Sequence, residues 1–134
     1  MTAWMNEPSA GGRAIEGAQA TTTSLSVREI TRRLNGELGA ALVAGLAGSR
    51  DPKSSYEWAR ADGPSPSTDS ERSLRFAYGL LLAVSQVESE DVARSWCIGI
   101  NPWLHDSPID AIREGRFKEV TAAAAALIDD AVAG

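Results

Sequence analysis

His105 and Cys97 are the only histidine and the only cysteine among the 134 residues. An imidazole can pass a proton near neutral pH, and a thiolate can attack carbon or bind a soft metal. Neither side chain has the company such work needs. Asp106 follows His105 directly in sequence, which makes a surface turn and not two members of a triad. One cysteine and one histidine fall short of the four ligands of a zinc site. Cys97 lies beside Trp96 on an expected buried helix and reads as packing, because buried thiols are inert as a rule. A phosphate-binding glycine loop follows a strand, and no period-two run of β-branched residues occurs in this chain. Gly36, Gly39, Gly45 and Gly48 read instead as helix ends and points of close helix approach. These residues predict no enzyme, no metal and no cofactor.

Binding chemistry is better represented. The segment 38–62 reads as two short helices joined by Gly48-Ser49-Arg50-Asp51. That spacing matches a helix-turn-helix, whose second helix enters the major groove of DNA with its first residues at the base edges. On that second helix the polar side chains are Lys53, Ser54, Ser55, Glu57 and Arg60, with Arg50 just ahead. Lysine and arginine suit phosphate or guanine, and serine suits phosphate or either type of base. Asp51, Glu57 and Asp62 dilute the basic face, so a helical hairpin whose charged side merely meets water stays open as the alternative. With so few phosphate contacts, tight DNA binding would require a dimer.

A second constellation spans Ala93 to Gly115. A helix bearing Trp96 ends in a Gly99-x-Asn101-Pro102 turn, Leu104 returns to the core, and Ser107-Pro108-x-Asp110 starts the next helix. Ser107 can accept from the free N–H groups of that helix, Pro108 fits its first position, and Asp110 favours the positive helix end. Trp103, after Asn-Pro, is either a core wedge or an exposed hot spot, and packing is the favoured of the two. The whole reads as a rigid docking surface.

The elements that must position these residues are helical throughout. The 43% apolar content suits one domain, or a small domain with an appendage. No run of apolar residues is long enough to span a membrane, no signal peptide is legible, and a single cysteine fits a reducing cytoplasm. Net charge is −5, unevenly spread. Residues 25–75 carry eight basic against seven acidic side chains, whereas residues 76–134 carry four against nine. Only the middle of the chain can face a polyanion, so two surfaces with different partners are expected. Residues 1–24 read as a disordered arm rich in Gly, Ala, Ser and Thr, with Trp4 its one adhesive residue. Ser26-x-x-Glu29 is a capping box opening a first helix closed by Asn35-Gly36. Leu38, Leu42 and Leu46 stripe the next, and Tyr56 with Trp58 or Ala59 lines the buried side of the third. Thr68-x-x-Glu71 caps a long helix to about Val87, Ser89 caps a fifth, Pro108 to Glu114 is a sixth, and Arg116 to Val132 is the last. On the long helix, Phe76, Leu80, Ala83 and Val87 form a second apolar stripe, the expected dimer interface.

Several positions together carry a family resemblance. They run Leu42-x-x-x-Leu46 to Gly48, Trp58-Ala59, Pro66, Arg72-x-Leu74-Arg75-x-Ala77, then Ala93-x-x-Trp96-x-x-Gly99-x-Asn101-x-x-Leu104-x-x-x-Pro108, Gly115 and Ala122-Ala123. In this order the chain resembles the Xre/MbcA/ParS-like antitoxins over about residues 26–130. More narrowly, it resembles their stand-alone actinobacterial members. The resemblance implies an all-α chain, with an Xre-like helix-turn-helix bundle over 25–67 and a small helical toxin-binding and dimerisation region over 68–134. It implies a type II antitoxin that dimerises, represses its operator and holds a RES-domain toxin that consumes NAD. The C-terminal helix or tail of such antitoxins shields the toxin's pocket. Trp96, Gly99, Leu104 and Pro108 match the motif as architecture, alongside Trp58 and Gly115. Asn101, Asp106, Asp110 and Arg113 are the implied toxin contacts, with Trp103 and the acidic Asp129 and Asp130. Two departures stand out: Ala131-Val132-Ala133-Gly134 leaves little tail, and Ala122 to Ala126 offer few anchors. A solitary helix-turn-helix regulator without a toxin, and an interaction module that no longer binds DNA, are the competing readings.

Overall fold

Helix punctuation in this chain is written mainly in serine. The computed structural model describes residues 8–134, and Trp4 lies outside them. Among the described residues there are eight helices: α1 (Ala10–Thr22), α2 (Val27–Leu38), α3 (Ala40–Leu46), α4 (Ser54–Ala59), α5 (Thr68–Val87), α6 (Glu90–Ile98), α7 (Pro108–Arg113) and α8 (Phe117–Ala133). Ser9, Ser26, Ser67, Ser89 and Ser107 each cap a helix by accepting from the backbone N–H three residues on, all at 3.1 Å. Each thereby satisfies one donor that the first turn leaves free. The expected capping boxes are only half made. The Glu29 carboxylate turns to Arg32 and Arg33 at 2.6 and 2.9 Å. The cap of α5 is Ser67, one residue before the expected Thr68, and Glu71 pairs with Arg75 at 2.8 Å.

Two helix ends share one solution. Gly48 after α3 and Gly115 after α7 have φ of +86° and +78°. At the first, the Gly48 N–H donates to Gly45 and the Ser49 N–H to Ala44; at the second, Gly115 donates to Ile112 and Arg116 to Ala111. This paired arrangement satisfies the last carbonyls and requires a left-handed residue that glycine adopts freely. Gly99 has no such role, since its φ is −82°.

The long α5 is the axis, packed by α1, α2, α6 and α8. Leu74, Ala77, Leu80, Leu81, Ala83 and Val84 are buried along it. One apolar core joins Ile30 and Leu34 of α2, Val43 and Leu46 of α3, and Ile112, Val120 and Ile128 of the C-terminal helices. The core runs without interruption across residue 67, where a division was expected. The apolar stripe expected to dimerise is also consumed inside the chain: Leu80 and Ala83 are buried, and the Phe76 ring stacks on Phe117 with centroids 4.3 Å apart.

The largest correction concerns the arm. From residue 10 onward it is helix α1, packed on α5 and α8. It is tied at three points. The Gly11 N–H donates to Asp129 Oδ1 (2.7 Å), Gln19 Nε2 to the Phe76 carbonyl (3.0 Å), and Arg75 to the carbonyls of Thr22 and Leu25 (2.6 and 2.8 Å). Its buried residues are Gly11, Ile15, Ala18 and Thr22, a helical period of i, i+4, i+7 and i+11. Only one of them is large, so the period is invisible on a hydrophobicity scale. Small residues let the helices approach closely: a Cβ at Gly11 would meet the Ala125 backbone oxygen at 2.3 Å.

Other boundaries move by a few residues. α2 continues through Asn35-Gly36 and stops at Gly39, so Leu38 belongs to α2 and not to α3. The buried face of α3 is Ala40, Val43, Ala44 and Leu46, and Leu42 turns outward. No helix among the described residues is long and apolar enough to cross a membrane.

Candidate functional site

The positions expected to form a helix-turn-helix fall on α3, α4 and the turn between them. α4 is short, and most of what fixes it reaches into its backbone from neighbouring elements. Asn35 Nδ2 on α2 donates to the Ser55 carbonyl (3.0 Å), and Arg28 reaches the Trp58 carbonyl (3.4 Å). Ser55 Oγ donates to the Ala40 carbonyl (2.6 Å), and Ser49 and Ser54 share a 2.6 Å hydroxyl contact across the connecting turn. These bonds correct the expected DNA face. Ser55 is fully buried and points to α3, and Ser54 is half-buried in the turn; neither presents its hydroxyl to a groove. Arg50, Lys53, Glu57 and Arg60 are exposed, with Arg60 3.4 Å from Asp62. Tyr56, expected in the core, is 64% exposed on the same outer face. Six residues make barely more than one and a half turns, so Ser55 takes the inward position and Tyr56 rotates out. Trp58 packs half-buried against the core.

The second candidate region is the loop from α6 to α7. Asn101 holds it closed almost alone. Its N–H donates to the Asp106 carbonyl (2.9 Å), and its own carbonyl accepts from Leu104 and His105 (3.1 and 2.9 Å). Its side-chain Oδ1 accepts from the Trp103 N–H at 2.9 Å. Asp106 Oδ1 accepts from the Ser107 N–H (2.8 Å), where Ser107 begins to cap α7. Inside this clasp Leu104 is buried, and His105 takes a left-handed φ of 56° with its side chain exposed. Arg116 finishes the lock, donating to the Leu104 carbonyl (2.8 Å) while paired with Glu119 (2.8 Å) and Glu114 (3.3 Å). The hydrogen bond from Arg116 holds the Glu119 carboxyl below its ordinary range.

Around the closed loop, three apolar side chains other than Leu104 are left outside, Ile98 at the end of α6 and Ile100 and Trp103 on the loop itself. Trp103 is 79% exposed, Ile100 76% and Ile98 48%. Trp103 is therefore not the core wedge favoured from sequence. Its ring stands at one wall of a groove of about 330 Å³, lined by Glu119, Ala122, Ala123 and Ala126 of α8. The alanines expected to offer few anchors make the floor of that groove. Sequence reading missed Ile98, Ile100 and Glu119. Two isoleucines flanking Gly99 at the end of α6, where the helical period lapses, were the available signal.

The implied polar contacts sort differently. Asn101 and Asp106 pin the loop and Asp129 holds the start of α1, so these three are committed within the chain. Asp110 and Arg113 pair with each other at 3.0 Å across one turn of α7. Asp130 is exposed near the end of α8. Trp96 is half-buried against the core, Pro108 is buried at the first position of α7, and Gly115 holds its left-handed turn.

Cys97 is buried, and burial, reinforced by Glu37, pushes its thiol up to about 12. The thiolate is thus scarce at neutral pH. Native protein at pH 8 is expected to resist iodoacetamide, with full labelling only after unfolding; mass spectrometry of the two samples reads the difference. Among the described residues no group of three or more His, Cys, Asp or Glu side chains is placed to hold a metal ion.

The fold is all-α, with a pinned short helix at one corner and an exposed apolar groove at another. No protein-family model, curated protein or solved structure matches this chain.

Proposed function

We propose that this chain is a non-catalytic, cytoplasmic type II antitoxin that neutralises a RES-domain toxin by direct binding and represses its own operon as a homodimer. The observation that carries the reading is Trp103, exposed on a loop locked by Asn101 and Arg116 above the apolar groove of α8. A large ring on a rigid mount loses little side-chain freedom on binding, and such anchors dominate interface energies. Ile98 and Ile100, just ahead of the same loop's clasp, are exposed as well. Asp130 is exposed on α8, an acidic group complementary to a protein whose own site must attract the phosphates of NAD. On this reading the toxin covers Trp103 and α8, while Arg50, Lys53 and Arg60 face operator phosphates.

Co-expression with the product of the adjacent reading frame, followed by affinity capture and native mass determination, tests the assignment. A stable complex containing an NAD-degrading partner is expected. A lone dimer that binds DNA would replace the antitoxin reading with a solitary regulator. For the DNA side, Lys53→Ala with Arg60→Ala is expected to reduce the salt slope of DNA binding by about two, one per lost phosphate contact, with unchanged melting temperature.

A further inference from the structure

The two tyrosines of this chain are treated in opposite ways. Tyr78 is buried on α5, and its hydroxyl accepts from Arg33 at 2.8 Å. Tyr56 is 64% exposed in the middle of α4. The helix that carries it is held by hydrogen bonds from Asn35 and Arg28 into its backbone and from Ser55 to Ala40, so the ring is presented on a fixed mount. Lys53 stands at the start of α4 and Arg60 follows its last residue, both exposed, with Tyr56 between them on the helix. Along the chain the ring thus has an exposed cation on either side, Arg60 lying 3.4 Å from Asp62, and Arg50 just ahead of the helix.

We infer that Tyr56 is the base-reading residue of α4, its ring packing against a thymine methyl group in the major groove while Lys53 and Arg60 hold phosphates on either side. The inference rests on the operator-binding reading above. A helix is about 10–12 Å across with its side chains, a match for a major groove about 12 Å wide. Two of the side chains first expected on the DNA face do not reach out: Ser55 is buried and Ser54 is engaged with Ser49. Besides its cations, the outer face offers a base edge an aromatic ring and the Glu57 carboxylate. In the major groove only thymine presents an apolar group, and cytosine presents the amino group a carboxylate can accept from. The Tyr56 hydroxyl remains free to donate to a phosphate oxygen.

The test uses the full chain and the duplex lying immediately upstream of its own reading frame, in two versions, one natural and one with deoxyuridine in place of thymidine. That exchange removes the methyl groups and keeps the hydrogen-bonding edges. The parent is expected to bind the deoxyuridine duplex about tenfold more weakly, the scale of one lost base contact. Tyr56→Ala is expected to bind the natural duplex about tenfold more weakly than the parent and to ignore the exchange. Tyr56→Phe keeps the thymine preference. Lys53→Ala weakens binding to both duplexes alike. Because Tyr56 is exposed, Tyr56→Ala should melt with the parent, which separates lost contact from lost fold. Parent-like binding by Tyr56→Ala, alongside a weakened Lys53→Ala, would overturn the role of Tyr56 and leave DNA binding standing. No binding of any duplex by the parent would remove the operator reading and this inference together. Preference for the single strand over the duplex would also overturn it, since stacking on an unpaired base would then explain the ring.

Discussion

A chain beginning at Thr23 is expected to lose about 3–5 kcal/mol of folding stability, a large part of the roughly 5–15 kcal/mol typical of a domain. Ile15 is buried between α1 and its neighbours, and withdrawing a buried isoleucine costs about 2–5 kcal/mol. Ala18 and the ties from Asp129, Gln19 and Arg75 go with it. The faces of α5 and α8 that α1 covers then meet water. Ordering thirteen residues opposes this gain, which keeps the net from being larger. Urea denaturation of the two chains gives the difference, and the truncated chain should also bind a dye for exposed apolar surface. Gly11→Ala offers the same test without deletion. Its Cβ would lie 2.3 Å from the Ala125 oxygen, a backbone atom, so α1 must shift and stability must fall. An unchanged midpoint for both variants would mean that the segment contributes nothing, as the composition of an arm would have it.

Trp103→Ala is expected to do the reverse: leave stability within about 0.5 kcal/mol and cut affinity for the co-expressed partner at least about 30-fold, the loss typical of a central anchor. The ring is 79% exposed, so its removal opens no cavity. Asn101 contacts the Trp103 backbone and not its side chain, so the loop keeps its clasp after the substitution. Thermal melting and calorimetric titration of the purified partner separate the two effects. A lower melting temperature with unchanged affinity would return Trp103 to a packing role and move the partner surface elsewhere. Ala122→Arg, across the groove on α8, should weaken the complex in the same way, because a long charged side chain fills the space above the alanine floor.

The two results divide along what local chemistry can specify. Serine caps at Ser26, Ser89 and Ser107, the Pro108 start of α7 and the Gly48 and Gly115 stops depend on a few neighbouring residues and their dihedral preferences. Each was readable because a cap or a left-handed glycine acts within one turn of chain. The same locality makes α5 legible nearly whole and puts Leu104 in the core between two turn signals. Where burial is shared between distant segments, local reading failed. α1 buries a face of Gly, Ile, Ala and Thr whose value lies only in how closely α5 and α8 can approach it. Tyr56 and Ser55 exchanged their expected places because a one-and-a-half-turn helix is oriented by Asn35, Arg28 and Ala40 from outside, and not by its own apolar period. Asn101 and Asp106 carried the right chemistry for a partner and spend it on their own loop.

By itself, then, the sequence determined an all-α chain, the ends of most of its helices, a nearly neutral middle and an acidic C-terminal part. These follow from capping, helical periodicity and counted charge, all of them properties of neighbouring residues. Tertiary structure alone decided which polar groups are consumed in holding the fold, which large side chains are left outside it, and that a glycine- and alanine-rich N-terminal segment is part of the body. Each of those depends on hydrogen bonds and close approaches between segments far apart in sequence, as between Gly11 and Asp129, and spacing along the chain carries no record of them.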